Sequence, residues 1–340
     1  MKRLLKIFGI VIFFIWFSTF GQNEANNKSD FTIAFGSCNK QFLENKLWDD
    51  ILEQKPDVWI WGGDNVYSDT DNMVKLKSDY DKLLNNVGYK ALMNSAKIMG
   101  TWDDHDYGLG DGGVHFKAKK ESEQAFLDFF GVPKDDVRRK REGVYYSETV
   151  KSNKGSIKII ILDTRYFRTD LTDAENSSKR YQPNVYGEGT ILGTAQWHWL
   201  EEELKTSQAD FNIIVSSIQV LSNQHGFETW GNFPHEVDKL KQLLIDSKAK
   251  GVIILSGDRH ISEFSKENIS GLNYPLIDFT SSGLTHVYSN FSGEYNPYRI
   301  GEVVKEISFG LLGFNFETKE VTMKMIGDHN KLQQEITQQY

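Results

Sequence analysis

The chain has 340 residues, 39% hydrophobic and 13% aromatic, enough for one large core or two smaller ones. Its formal net charge is −8, and removal of Lys2, Arg3 and Lys6 with an N-terminal segment would bring it to about −11. Such an acidic balance argues against nucleic acid as an electrostatic partner, and no nucleic-acid-binding surface is evident. A single cysteine, Cys38, excludes an internal disulfide.

In chain order, Lys2, Arg3 and Lys6 precede an apolar run from Ile7 to Phe20, then Gly21-Gln22 and the polar NEANNKSD. This layout predicts a signal peptide over 1–22 and an exported, periplasmic or secreted protein. The apolar run falls short of the roughly 20 residues that span a bilayer, so no stable membrane span is expected after cleavage. No Cys stands at the cleavage zone, which argues against a lipoprotein anchor.

Beyond it, apolar strand-like runs alternate with amphipathic helical ones. FTIAFGSC (31–38), DVWIWGG (57–63), AKIMGT (96–101), IKIIILD (157–163), FNIIVSS (211–217) and GVIILSG (251–257) read as buried strands. Helices are expected at 43–54, 72–86, 121–130, 194–206 and 235–248, each with a leucine-rich or aromatic face such as Trp197, Leu200 and Leu204. From about 275 the pattern changes to successive strands, read as a hairpin set completing a second sheet. The alternation predicts a layered α/β fold in one domain over 31–338. Loop-rich stretches 107–120, 168–192 and 221–234 follow strand ends and are expected to wall a site.

Four of these runs deliver metal-ligating side chains just past the strand's carboxyl end, where open α/β sheets bind ligands. After FTIAFG comes Ser37-Cys38. A lone exported thiol is either a buried small hydrophobe or a metal-held thiolate, and its place at a strand end favours the ligand. In GGDNVY (62–67), Asp64 can bridge two cations and Tyr67 can fold back toward it, although the tetrapeptide GGDN alone is an ordinary turn. In TWDDHD (101–106), Asp103, Asp104 and Asp106 flank His105, a candidate general acid; the spacing does not fit an EF-hand. In SGDRH (256–260), Asp258 and His260 can both reach one ion. LDTRYFR (162–168) adds Arg165, either a fork for phosphoryl oxygens or a salt bridge to Asp163.

With GSC (36–38), GGDNVY, TWDDHD, LDTRYFR, QWHWLEEEL (196–204), TWGNFP (229–234) and SGDRH in that order, the chain resembles the PhoD-like alkaline phosphatases. These are a branch of the calcineurin-like metallophosphatase superfamily. The resemblance implies a four-layer α/β fold, a two-sheet β-sandwich flanked by helices. It also implies Fe(3+) held by Cys38, Asp64, Tyr67, Asp258 and His260, with Ca(2+) beside it on Asp64 and the TWDDHD carboxylates, Asp104 among them; other divalent metals are possible. Asp104 and His105 stand where many superfamily members have an Asn-His pair. Larger members carry a β-domain ahead of the catalytic one, whereas here the leader runs almost directly into FTIAFGSC. His225 and His286 match no motif position.

The expected activity is that of an exported phosphoesterase acting on small phosphate monoesters, diesters or both. A hydroxide on the metals would attack phosphorus, with His105 as acid and Arg165 as clamp. The alternatives are a phospholipase-like diesterase and, in another class, a non-catalytic calcium-binding surface protein. Calcium alone has no need of the Cys38 thiolate, which argues against the last.

Overall fold

The computed structural model describes residues 29–175 and 179–340, so the expected signal peptide lies outside the described residues. In chain order the first strands are β1 (Phe31–Gly36), β2 (Val58–Gly62), β3 (Lys97–Thr101), β4 (Tyr146–Lys151) and β5 (Ser156–Ile161). A short ribbon, β6 (Thr172–Asp173) and β7 (Tyr181–Gln182), precedes β8 (Phe211–Val215), β9 (Val252–Ser256), β10 (Ser262–Glu267) and β11 (Leu276–Ser281). The chain then forms β12 (Arg299–Val304), β13 (Ser308–Asn315), β14 (Glu320–Gly327) and β15 (Lys331–Gln339). Helices are α1 (Trp48–Glu53), α2 (Met73–Leu84), α3 (Val87–Ser95), α4 (Asp104–Tyr107), α5 (Lys119–Phe129), α6 (Gly193–Thr206) and α7 (Pro234–Ser247).

Two sheets form, ordered β15-β14-β13-β1-β2-β3 and β12-β10-β11-β9-β8-β5-β4. Each contains a parallel run: β1-β2-β3, ending at the edge strand β3, in the first, and the central β5-β8-β9-β11 in the second. Strand alternation divides the apolar side chains between layers. Ile157, Ile159 and Ile161 join Val58, Ile60, Ile253 and Leu255 between the sheets. Ile160, Ile214, Val252 and Ile254 face the other way, against Leu200 and Leu204 of α6 and Leu240 and Leu244 of α7. Trp59 and Trp61 of β2 likewise pack outward on Trp48, Tyr80, Tyr89 and Phe126 from α1, α2, α3 and α5. Helix, sheet, sheet, helix: the four-layer sandwich is what these residues build.

The helix expectations hold for α2, α5, α6 and α7, with local reasons at their ends. Asn72 Oδ1 accepts from Val74 N at 2.9 Å to cap α2. Pro234 opens α7 at the position that needs no N–H donor. The 43–54 helix is shortened to α1. Asn45 Oδ1 accepts from Leu47 N at 3.0 Å, and Asn45 Nδ2 donates to Asn39 Oδ1 at 3.2 Å, holding the preceding turn out of helix.

The strands after 275 do not form one hairpin set. β11 joins β9 in the second sheet, whereas β13 and β14 extend the first sheet through antiparallel pairing of β13 on β1. The sheets meet at one end, where Ser37 just after β1 bridges Ser282 just after β11. The carboxyl ends of β1, β2, β3, β9 and β11 gather there.

Candidate metal centre

Three of the four strand-end turns hold ligands in left-handed backbone; the turn after β3 does not. Cys38 (φ 60°), Asp64 (φ 52°), Asp258 (φ 68°) and His260 (φ 54°) all adopt this conformation. Side chains there cost of order 1–3 kcal/mol each and persist where surroundings over-determine them. Close packing does so here. A Cβ on Gly63 would sit 2.7 Å from Asp103 Cβ and 2.9 Å from Ser217 Cβ. At Gly257 it would lie 2.5 Å from Ser37 Oγ, so both turns require glycine.

Two donor groups result, each with ligand atoms within 4.8 Å of one another: Cys38, Asp64 and His260, and Asp103, Asp104 and Asp258. Asp64 also groups with Asp104 and His105, which links the two. Its Oδ2 accepts from Cys38 Sγ at 3.4 Å and from Tyr67 Oη at 3.0 Å, while Oδ1 accepts from His105 N at 3.3 Å. One carboxylate thus faces both groups, one oxygen each way. Tyr67 Oη lies 2.9 Å from His260 Nε2, bringing the phenol into the first group.

Three of the expected site residues sit in surroundings that their sequence context did not show. Asp258 groups with Asp103 and Asp104, yet it is also near enough to Cys38 for its charge to act on the thiol. Asp106 faces the scaffold: it accepts from Asp103 N at 2.8 Å, Asn65 Nδ2 at 2.7 Å and Tyr80 Oη at 3.3 Å. Arg165 pairs with Asp103 and Glu228 and not with Asp163. It is 0% exposed, with Nε on Asp103 and Nη1 on Glu228, each at 2.5 Å. Asp163 instead accepts backbone N–H bonds from Arg165 and Tyr166 at 2.9 Å, closing the turn after β5.

Of the TWDDHD carboxylates, Asp103 joins Asp104 in the second group, and the supporting shell is one that sequence reasoning missed. Ser282 Oγ lies 3.1 Å from Cys38 Sγ and accepts from His260 N at 2.8 Å. Asp69 Oδ1 lies 2.6 Å from His105 Nδ1, and the His105 ring stacks on Tyr67 at 4.0 Å. A serine in TSSG and an aspartate in a polar loop carry no sequence signal for these roles. His286 packs on His260 (4.4 Å) and Tyr67 (5.0 Å), while His225 stacks on Phe227 at 6.1 Å, outside both groups.

The electrostatics are those of crowded, buried anions. Burial, then Asp64, push the Cys38 thiol well above its usual range. Burial and the neighbouring Asp104 do the same to Asp64, as burial and Asp103 do to Asp258. Asp103 rises to about 6 because burial outweighs its Arg165 partner. Asp104 goes the other way: burial opposes ionisation, but Arg165 and His105 hold it below the usual carboxylate range. Burial disfavours the His105 imidazolium, yet Asp64, Asp69 and Asp104 outweigh it and raise it to about 10. Asp103 Oδ2 and Asp104 Oδ1 are buried without a hydrogen-bond partner. Cations at these positions would satisfy both oxygens and offset the repulsion. Thiol, phenol, imidazole and carboxylate suit a transition metal, and the three-carboxylate group suits a hard cation.

Above the donors lies a cleft of about 430 Å³. It is lined by Asp104, His105, Asp258 and His260, and by Asp111, Arg180, Phe227 and Arg259 from the expected loop walls and the SGDRH turn. A larger groove of about 570 Å³ between α2 and α5 contains none of the donors.

The profile of the PhoD-like phosphatase family matches residues 33–281, most of the chain and all of these turns. The chain belongs to the PhoD-like phosphatase family. Alkaline phosphatase D of Bacillus subtilis (strain 168) is 21% identical over 304 residues, covering 76% of this PhoD-like chain. The chain spans 52% of that relative's length. A solved structure described as PhoD superposes with a TM-score of 0.69 at 16% identity, covering 90% of this chain and 68% of the other. GAP50, described as the anchor in the inner membrane complex of Plasmodium, superposes at 0.58 with 12% identity, covering 91% and 88% of the two chains. These two likenesses carry the fold alone.

Proposed function

We propose that this PhoD-like chain is an exported, metal-dependent phosphoesterase hydrolysing small phosphate monoesters, diesters or both. The observation that carries the reading is Asp64, whose two oxygens face two donor groups beneath one cleft beside His105. Family membership supports the reaction class. Export rests on the N-terminal sequence; among the described residues, no helix is long and apolar enough to cross a membrane.

Cys38, Asp64, Tyr67 and His260 would hold iron, and Asp64, Asp103, Asp104 and Asp258 calcium. When bound, such cations supply Lewis-acid polarisation of phosphoryl oxygens and activation of water. The protein's own part is positioning. Ser282 orients Cys38 and the His260 backbone. Asp69 holds His105 Nδ1, which leaves Nε2 as the atom that gives a proton to the departing ester oxygen.

The purified protein should hydrolyse p-nitrophenyl phosphate, bis-p-nitrophenyl phosphate or both, and element analysis should find iron and calcium. A calcium-selective chelator should abolish turnover, and added calcium should restore it, since a carboxylate-only group binds hard cations reversibly. Irreversible loss, or indifference to the chelator, would remove calcium from the proposal. The protein should also absorb visible light, because a Tyr67 phenolate or Cys38 thiolate on ferric iron gives a charge-transfer band. A colourless, fully active enzyme containing only zinc or magnesium would overturn the iron assignment.

A further inference from the structure

Resting on the phosphoesterase reading, we infer that Arg259 is the guanidinium that binds the phosphoryl group, the role its sequence neighbours suggested for Arg165. Arg165 keeps one nitrogen, Nη2, without a partner, but it is 0% exposed, is held by Asp103 and Glu228, and does not line the cleft, so a ligand in the cleft does not meet it. Arg259 stands between Asp258 and His260 in the chain, one residue from each donor group, and lines the cleft.

Its side chain is 8% exposed and held from two sides. Glu294 engages Nη2 with both carboxylate oxygens at 2.9 Å. The Phe227 ring lies against the guanidinium plane, 4.3 Å from centroid to Cζ. Both contacts leave the Nε edge unspent, and Nε is buried with no hydrogen-bond partner. A buried guanidinium nitrogen without an acceptor costs free energy that an anionic oxygen would recover. A pre-oriented planar fork suits two phosphoryl oxygens better than an ammonium does. Arg180, the other arginine lining the cleft, is a weaker candidate. Its side chain is 58% exposed and pairs with Asp111 at 2.7 Å. Glu228 lines the same wall, but Arg165 and Arg168 flank it and offset its charge.

A purely structural reading makes Arg259 a tether that joins the Phe227 loop to the Glu294 loop. The test separates the two. Inorganic phosphate binding is measured by calorimetry on metal-loaded wild type, Arg259→Ala, Arg259→Lys, Glu294→Gln and Arg180→Ala, with metal content and thermal midpoint for each. Arg259→Ala should bind phosphate about 10–100-fold more weakly with metal content unchanged, the usual worth of hydrogen bonds to a charged group. Arg259→Lys keeps the charge but not the fork and should lose a smaller part; it decides the matter if the alanine variant fails to fold. Glu294→Gln keeps the guanidinium and should weaken phosphate less than Arg259→Ala. Affinity within twofold of wild type in Arg259→Ala, losses equal to those of Glu294→Gln, a larger loss in Arg180→Ala, or loss of metal would each overturn the assignment. Because the readout is phosphate affinity, it stands whether or not esters are turned over; absence of hydrolysis by wild type would instead strike the phosphoesterase reading.

Discussion

Asp64→Asn is expected to empty the metal centre and lower phosphoester hydrolysis by at least about 10³-fold, several kcal/mol of transition-state stabilisation. Asparagine keeps the shape and one oxygen and tolerates the left-handed backbone at φ 52° better than most residues, so the fold should survive. It loses the charge and the second anionic oxygen. Asp64 Oδ2 serves the Cys38–Tyr67 side and Oδ1 the His105 side, and among the described residues only Asp64 and Asp104 belong to two of the donor groups, Asp64 being the one that groups with Cys38. In metal-stripped protein the same change removes a buried carboxyl that its neighbours repel, so the thermal midpoint should hold or rise. Element analysis, melting of chelator-treated protein and turnover decide it. A variant that retains both metals and near-normal turnover would refute the bridging role.

His105→Ala is the second large effect. Loss of a general acid slows ester hydrolysis by roughly 10²–10⁴-fold when the leaving oxygen is a poor one. An alkyl phosphate needs the proton, whereas the p-nitrophenolate of an activated aryl ester departs without it and should suffer much less. Metal content should remain intact, since Cys38, Asp64 and His260 form one donor group and Asp103, Asp104 and Asp258 another without His105. Asp69→Asn, which weakens the contact to His105 Nδ1, should shift rates in the same direction by less. Equal slowing of both substrates, or loss of metal with His105, would make the imidazole a ligand or a transition-state contact.

Local sequence determined much of this protein. Continuous apolar runs such as VIIL (252–255) specify strands buried on both faces, and Gly-Gly-Asp and Ser-Gly-Asp at their ends specify tight turns. Strand geometry then directs whatever follows each run to one sheet edge, which is why Cys38, Asp64, Asp104 and Asp258 were legible as a site. Helices α2, α5, α6 and α7 followed from their own apolar faces and end residues.

Only the tertiary structure decided which sheet each late strand joins, because pairing of β13 with β1 links residues almost 280 positions apart and leaves no local trace. It also decided how like residues divide their work. Asp103 and Asp106 are three positions apart, yet one leaves an oxygen unpartnered at the donor group and the other accepts bonds from the scaffold. Arg165 and Arg259 are both arginines just past strand ends. Glu228, brought in from a distant loop, draws one into the interior, while Glu294 and Phe227 hold the other at the cleft. A side chain's type sets what chemistry it can do; the charges packed against it from remote segments set where that chemistry is pointed.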